Sequence, residues 1–282
     1  MNTVKFQNDT YSLPECWDEI TTSQIETLAE LVQKGITENE LLFRFALYCM
    51  GMRLAWRYSV TVDGVECFYI RHGITRIYLV SPVQMAVVTN SMKWMVEDNQ
   101  IRPSITKNPY HELYFSRYRR LIGPANLLTN ILTSEWILAE TEKAEWINKK
   151  NDYHLNRLLA VLWRPTAKNL PDGDNRAPFR QETFEQRAIQ MARVKPCKKQ
   201  VMLWFYQSCI DYLAEKFKDV FSEGEPSDKP LFDNFMQLVT DLAKDDLTKI
   251  PKVYKAPLYE MLYTLQSIVE KAEKAKENNK TS

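Results

Sequence analysis

Glycine is scarce in this chain, with 7 among 282 residues, and neither the G-x-G-x-x-G spacing nor the Walker pattern occurs. The common backbone cradles for phosphate are therefore missing. Histidine is scarcer still: His72, His111 and His154 are the full set. None follows a glutamate by three residues and no two lie within a helical turn of each other. That excludes the Glu-x-x-His of di-iron bundles and the His-Glu-x-x-His zinc helix. A G-x-S-x-G elbow is also lacking. Neither sign of charge is in excess, since Lys plus Arg number 37 and Asp plus Glu number 36. Without a strong overall field, the simplest electrostatic case for nucleic acid or an anionic membrane falls away. No apolar run is longer than residues 201–206, far short of the ~20 residues a bilayer span needs. Residues 1–10 hold no apolar core of a secretion signal. These absences lead to the expectation of a non-enzymatic protein with no cofactor, no metal and no small-molecule substrate. It is expected neither to leave the cell by that route nor to span a membrane.

Five cysteines, Cys16, Cys49, Cys67, Cys197 and Cys209, form no C-x-x-C and are odd in number. Reduced, mostly buried thiols in a cytoplasmic protein explain them better than a disulfide framework.

What is present is the ordinary globular mix, 45% apolar and 26% charged. A chain of 282 residues is about twice the commonest domain size. Two domains are expected, residues 1–165 (helical with a small β insertion) and 166–282 (helical), or one continuous domain with a polar loop at 169–178.

Helix-start chemistry recurs. Thr21 with Gln24, Thr37 with Glu40 and Ser81 with Gln84 each have the spacing of a capping box. Ile20/Ile25, Ile36/Leu41 and Val80/Met85 stand as the matching hydrophobic staples, and Pro82 follows Ser81. Three helix starts are predicted there. Between the second and third, residues 58–63 and 65–69 are β-branched and aromatic around Asp63-Gly64, a hairpin signal, with a further strand over 74–80. Val4, Phe6 and residues 11–13 predict an edge strand before Pro14. Further helices are predicted over 110–121, 133–149, 154–163 with Asp152 as cap, 183–194, 197–221 and 231–243. A last helix opens at Pro257 and dissolves into a charged tail. Residues 222–230 read as a linker. The predicted fold class is mainly α, a multi-helix, bundle-like architecture with a small antiparallel β insertion near residues 58–80.

Three groups invite a functional reading, and each has a plainer one. Glu135, Glu140, Glu142 and Glu145 share a helix, where paired carboxylates perform acid–base work only across a cleft. Lys143, Lys149 and Lys150 nearby favour a solvated face. Arg117, Arg119 and Arg120 interleave with Tyr114, Phe115 and Tyr118, and Arg187, Arg193, Lys195, Lys198 and Lys199 form a second basic stretch. Such patterns grip single-stranded nucleic acid. Aromatics at these spacings more often point inward, so nucleic acid is not the favoured partner. The helix beginning at 201 is apolar nearly all round, which marks a central core element. Finally, Leu258, Met261, Leu262, Leu265, Ile268 and Val269 form one stripe at helical spacing. Its default cover is the domain's own core. A Pro-flanked connector would alternatively let it swing onto a partner helix, which makes these six the candidate partner-binding residues.

The segment Leu13-Pro14-Glu15-Cys16-Trp17-Asp18-Glu19-Ile20-Thr21 resembles the "Pro-x-x-Trp-(Asn/Asp)-Glu-(Leu/Ile)-Thr" start of proteins encoded near the tail genes of phages and prophages of Bacteroidetes. Leu155-Asn156-Arg157-Leu158-Leu159-Ala160-Val161-Leu162-Trp163-Arg164-Pro165 resembles their leucine-rich helix followed by aromatic-Arg-Pro. A polar loop, Asp174-Asn175-Arg176-Ala177-Pro178-Phe179, and a strongly apolar helix follow in both. The resemblance implies a cytoplasmic, non-enzymatic helper in virion morphogenesis, similar to tail-assembly chaperones. Its partner would be another protein, an apolar, tape-measure-like helix held until tail-tube subunits replace it. The alternatives are a structural virion connector or tail-completion protein, or a nucleic-acid-binding accessory protein.

Overall fold

The computed structural model describes residues 2–6, 9–98, 100–116, 119–167, 174–221 and 231–280. Among them are ten α-helices and several small antiparallel sheets, a mainly α chain with β content. No described helix is long and apolar enough to cross a membrane. The chain forms two compact units, one of Met1–Ile105 with Lys195–Trp204, the other of Thr106–Val194 with Phe205–Ser282. The boundary therefore falls at 105/106, not at 165/166. Residues 164–165 lie inside the second unit because they add a strand to one of its sheets.

In the first unit, β1 (Asn2–Phe6) and β2 (Asp9–Leu13) pair with each other as a separate two-stranded sheet, where the sequence predicted an edge strand. Helix α1 (Thr22–Gln33) starts at its capping box. The Gln24 amide donates to Thr21 Oγ1 at 3.3 Å, and the Thr21 amide donates to Gln24 Oε1 at 2.8 Å. Helix α2 (Glu38–Cys49) starts where predicted but without the box: the Thr37 side chain caps nothing. Glu40 turns instead to Arg44, one helical turn on, at 2.6 Å. A carboxylate offered a guanidinium gains more than one offered a neutral amide.

Strands β3 (Met52–Val62), β4 (Val65–His72) and β5 (Arg76–Val80) form an antiparallel sheet in that order. Asp63 (φ 49°) and Gly64 (φ 78°) make the tight turn that the Asp-Gly pair predicts. Helix α3 (Pro82–Asn90) opens at the Ser81–Gln84 box, and β6 (Val96–Glu97) with β7 (Gln100–Ile101) closes a minimal hairpin. The Trp94 indole packs edge-on to Trp17 at 5.1 Å and donates to the Pro14 carbonyl at 3.0 Å. Residues 195–204 complete this unit. There Cys197 and Val201 are buried, and Lys198 pairs with Glu26 at 3.5 Å.

The second unit opens with a correction. Where a helix was expected over 110–121, β8 (Glu112–Ser116) and β9 (Arg119–Ile122) pair antiparallel instead. The period is two: Leu113 and Leu121 face each other and are buried, while Tyr114 is 65% exposed. Helix α4 (Thr133–Lys149) matches its prediction, and α5 (Asp152–Leu162) is capped by Asn151, whose side chain accepts from the Tyr153 amide. Strand β10 (Arg164–Pro165) pairs with β9. The Trp163 indole donates to the Tyr110 carbonyl at 2.8 Å. It lies so close to Gly123 that a Cβ there would sit 2.4 Å from its Nε1. Helix α6 (Phe184–Ala192) follows, then α7 (Pro196–Lys216), whose Phe205, Tyr206, Cys209 and Leu213 are fully buried. That is the central element its all-round apolarity predicted. Helix α8 (Leu231–Ala243) matches its predicted span, and a short α9 (Ile250–Lys255) occupies the predicted connector. Helix α10 (Leu258–Lys280) continues through the charged tail that was expected to fray, since Glu, Lys and Ala are strong helix formers. The predicted linker 222–230 lies outside the described residues.

Candidate functional site

The first unit contains a cleft of about 1000 Å³ between α2, α3 and the β3–β4 ladder. That is the upper end of the range for ligand sites, roughly 300–1,000 Å³. Its position follows from a local irregularity. The β3–β4 register runs to Leu54 opposite Ile70 and resumes at Ser59 opposite Phe68, so β3 carries extra residues between Leu54 and Ser59. A bulge of this kind bends a strand away from its partner. Leu54, Ala55 and Ser59 from β3 and Phe68 and Tyr69 from β4 form the floor.

The two helices supply the walls at i, i+3 and i+4 spacing. Phe43 from α2 and Met85 and Ala86 from α3 are apolar, and Thr89 closes the depth with 6% exposure. Beside this wall the apolar surface of α3 continues outward, with Val83 74% and Val87 55% exposed. The rim is polar and charged. Asn39, Asn90 and Lys93 stand there with the Glu40–Arg44 pair. Arg44 is neutralised by Glu40, whereas Lys93 forms no ion pair among the described residues, which leaves the rim with one uncompensated positive charge.

Among the described residues the lining has no histidine and no cysteine, and its one carboxylate is engaged by Arg44. Those residues hold no nucleophile–base pair of the kind acyl or phosphoryl transfer needs. Among the described residues no group of three or more His, Cys, Asp and Glu is placed to hold a metal. Its described walls are mainly apolar and its rim polar.

The six residues singled out on the last helix are divided by the structure. Leu258, Met261 and Leu262 are buried in their own unit at 3% exposure or less. Leu265 and Val269 are half-covered, and Ile268 is 50% exposed. The root of α10 does not swing free. The Leu258 amide donates to the Ile131 carbonyl, the Thr133 amide to the Ala256 carbonyl, and the Tyr259 hydroxyl to the Leu127 carbonyl, all at 2.9 Å. Lys216 lies over the rings of Phe217, Tyr259 and Tyr263 at 5.1–5.6 Å and fastens α10 to the end of α7.

The acidic helix is corrected more sharply. Glu135 and Glu142 are buried rather than solvated, and only Glu145 keeps an exposed pair, with Lys149. Glu142 accepts from Arg157 Nε at 2.7 Å and lies 2.9 Å from His154 Nδ1. Glu135 lies 2.9 Å from Arg164 and 3.3 Å from Arg176. Burial pushes the Glu135 carboxyl up, against the pull of Arg176 and Arg164, and burial brings the Arg164 guanidinium down to about 10. Asp174, held low through its hydrogen bonds with Arg176 in spite of partial burial, clamps that guanidinium at 2.9–3.1 Å. Arg176 also donates to the Leu162 and Asn130 carbonyls. The polar loop expected at 169–178 thus ends in a buried anchor, while residues 168–173 lie outside the described residues.

Arg187 and Lys199 are buried, Lys198 is paired with Glu26, and Arg120 is paired with Glu112 at 3.2 Å. Arg117 and Tyr118 lie outside the described residues. The residues that carry the family resemblance serve the fold: Pro14 and Trp17 hold Trp94, and Trp163 and Arg164 hold the β9 edge and Glu135.

The cleft had only an indirect signal in the sequence. Five apolar residues in the first seven of α3 exceed what one buried face needs. Compared with protein-family models, with curated proteins and with solved structures, the chain matches none.

Proposed function

We propose that the chain is a non-enzymatic assembly factor that holds an apolar helical segment of another protein in the cleft between α2 and α3. In this reading it acts in the host cytoplasm as a tail-assembly chaperone of a phage or prophage. Its partner is a tape-measure-like chain kept from aggregating until tube subunits take it over. The observation that carries the reading is the open apolar cleft with one uncompensated cation, Lys93, at its rim. An amphipathic helix presenting two or three large apolar side chains, with a carboxylate beside them, fits that combination.

Each anchor buried contributes roughly 1.5–3 kcal/mol before the loss of freedom on association is deducted. Two or three anchors thus supply roughly 3–9 kcal/mol before that deduction, which leaves a weak affinity that permits release. The test is co-expression with the long helical tail protein encoded beside its gene. The wild-type chain is expected to raise the partner's soluble yield severalfold and to co-purify with it. Met85→Glu and Ala86→Trp, which fill or charge the cleft wall, are expected to abolish both effects while leaving the circular dichroism unchanged. A rescue that survives both substitutions overturns the cleft as the site. No rescue by the wild-type chain overturns the proposed role.

A further inference from the structure

Three helix starts of the first unit share one backbone entry, and one of them leaves its capping box open. Thr21 (φ −74°, ψ 160°), Thr37 (φ −61°, ψ 152°) and Ser81 (φ −80°, ψ 160°) all stand in N-cap geometry. Thr21 with Gln24 and Ser81 with Gln84 close their boxes. Thr37 with Glu40 has the right residues at the right spacing, yet the hydroxyl caps nothing. The difference lies one turn further on. Leu28 and Val88 follow the two glutamines by four residues, whereas Arg44 follows Glu40. Arg44 takes Glu40 Oε1 through Nε at 2.8 Å and through Nη2 at 2.6 Å.

That diverted pair lines the cleft. Glu40 and Arg44 belong to the α2 wall and Lys93 follows the end of the α3 wall, so cations stand on two sides of one opening. The Glu40 and Arg44 side chains are 40% and 39% exposed, and an ion pair so open to water contributes little. A closed box returns a capping hydrogen bond to the helix, and a carboxylate in the first turn also answers the positive end of the helix dipole. Glu40 therefore has two positions of similar free energy. A modest pull on Arg44 decides between them.

We propose that Arg44 is a second anion-binding residue of the cleft, with Glu40 as the internal stand-in for a carboxylate of the partner. When an acidic segment enters, Arg44 passes from Glu40 to that segment, and Glu40 swings back to close the box with Thr37. This rests on the reading of the cleft as a helix-binding site and narrows the partner's chemistry. The segment is an amphipathic helix with carboxylates on both flanks of its apolar stripe, one for Lys93 and one for Arg44. Charge complementarity selects that class over a neutral or basic helix. Thr37 is exposed and not among the described lining residues, so it contributes to affinity without touching the partner.

The experiment measures binding of two labelled peptides of roughly 20 residues to the full chain, by fluorescence polarisation at low salt. Both carry one leucine stripe, flanked on both sides by glutamate in one peptide and by glutamine in the other. The glutamate peptide is expected to bind roughly tenfold tighter, and Arg44→Met to remove about threefold of that advantage. Thr37→Ala is expected to weaken the glutamate peptide by about threefold, to leave the glutamine peptide unchanged, and to have no further effect in the Arg44→Met background. A general structural cost at Thr37 would instead weaken both peptides in both backgrounds, which overturns the inference. So does equal binding of the two peptides, or a Thr37→Ala variant that binds like wild type. In each of those cases the cleft reading stands on the glutamine peptide and on its loss with Met85→Glu. Binding of neither peptide overturns the cleft reading and the inference with it.

Discussion

Glu135 and Arg164 face each other at 2.9 Å inside the second unit, with side chains 0% and 3% exposed. Arg176 reaches the same carboxylate, and neither Glu135 oxygen accepts a well-aligned hydrogen bond. A buried pair of this kind gives little net stability when intact and a large loss when one member is removed, about 3–5 kcal/mol. Glu135→Gln is therefore expected to lower the unfolding free energy by up to about that much, measured by urea titration, because it leaves the buried Arg164 and Arg176 to share Asp174 as their one remaining counter-charge. A loss under ~1 kcal/mol would mean that solvent reaches the cluster.

The two threonine caps are expected to differ although their sequence signatures match. Thr21 accepts from the Gln24 amide, so Thr21→Ala should cost ~1 kcal/mol. Thr37 makes no such bond, so Thr37→Ala should stay within ~0.5 kcal/mol of wild type. Equal losses would contradict the geometry at α2.

Gly123→Ala tests a close approach rather than a turn. The new methyl would stand 2.4 Å from the Trp163 Nε1, so the indole must move and its bond to the Tyr110 carbonyl must break. Overpacking with loss of a buried hydrogen bond predicts roughly 2–4 kcal/mol of destabilisation. A reduction in tryptophan fluorescence anisotropy or a shifted emission should accompany it.

Alkaline pH should unfold the chain through two phenols. Burial pushes the Tyr259 hydroxyl up to about 12, and burial together with Glu140 raises the Tyr206 hydroxyl well above its usual value. A raised folded value means that the neutral form belongs to the folded state. The stabilisation is therefore complete below pH ~10, where free tyrosine ionises, and is lost as pH climbs toward 12. Denaturation midpoints taken from pH 8 to pH 11.5 should fall across the upper part of that range. The fall should be shallower in Tyr259→Phe.

The elements legible in the sequence were those fixed by short-range chemistry: the α1 and α3 starts at their hydroxyl caps, the turn at Asp63-Gly64, and α7 as the core rod. The misread ones depended on partners far along the chain. Residues 110–121 look helical by composition, but β10 arrives more than forty residues later to pair with β9. Glu135 looks solvated beside its lysines until Arg164 and Arg176 close over it. The cleft was hidden for a related reason. Nothing in residues 54–59 announces how many of them the strand opposite will fail to match.

The first unit is assembled from two separated stretches, and this sets an order in time. Residues 1–105 leave the ribosome long before residues 195–204, whose Cys197, Val201 and Met202 are buried in the finished protein. At translation speeds of ~5–20 residues per second the wait is roughly 5–20 seconds. For that interval the nascent chain must carry an incomplete hydrophobic layer, so premature termination before residue 195 yields a product prone to clumping and proteolysis.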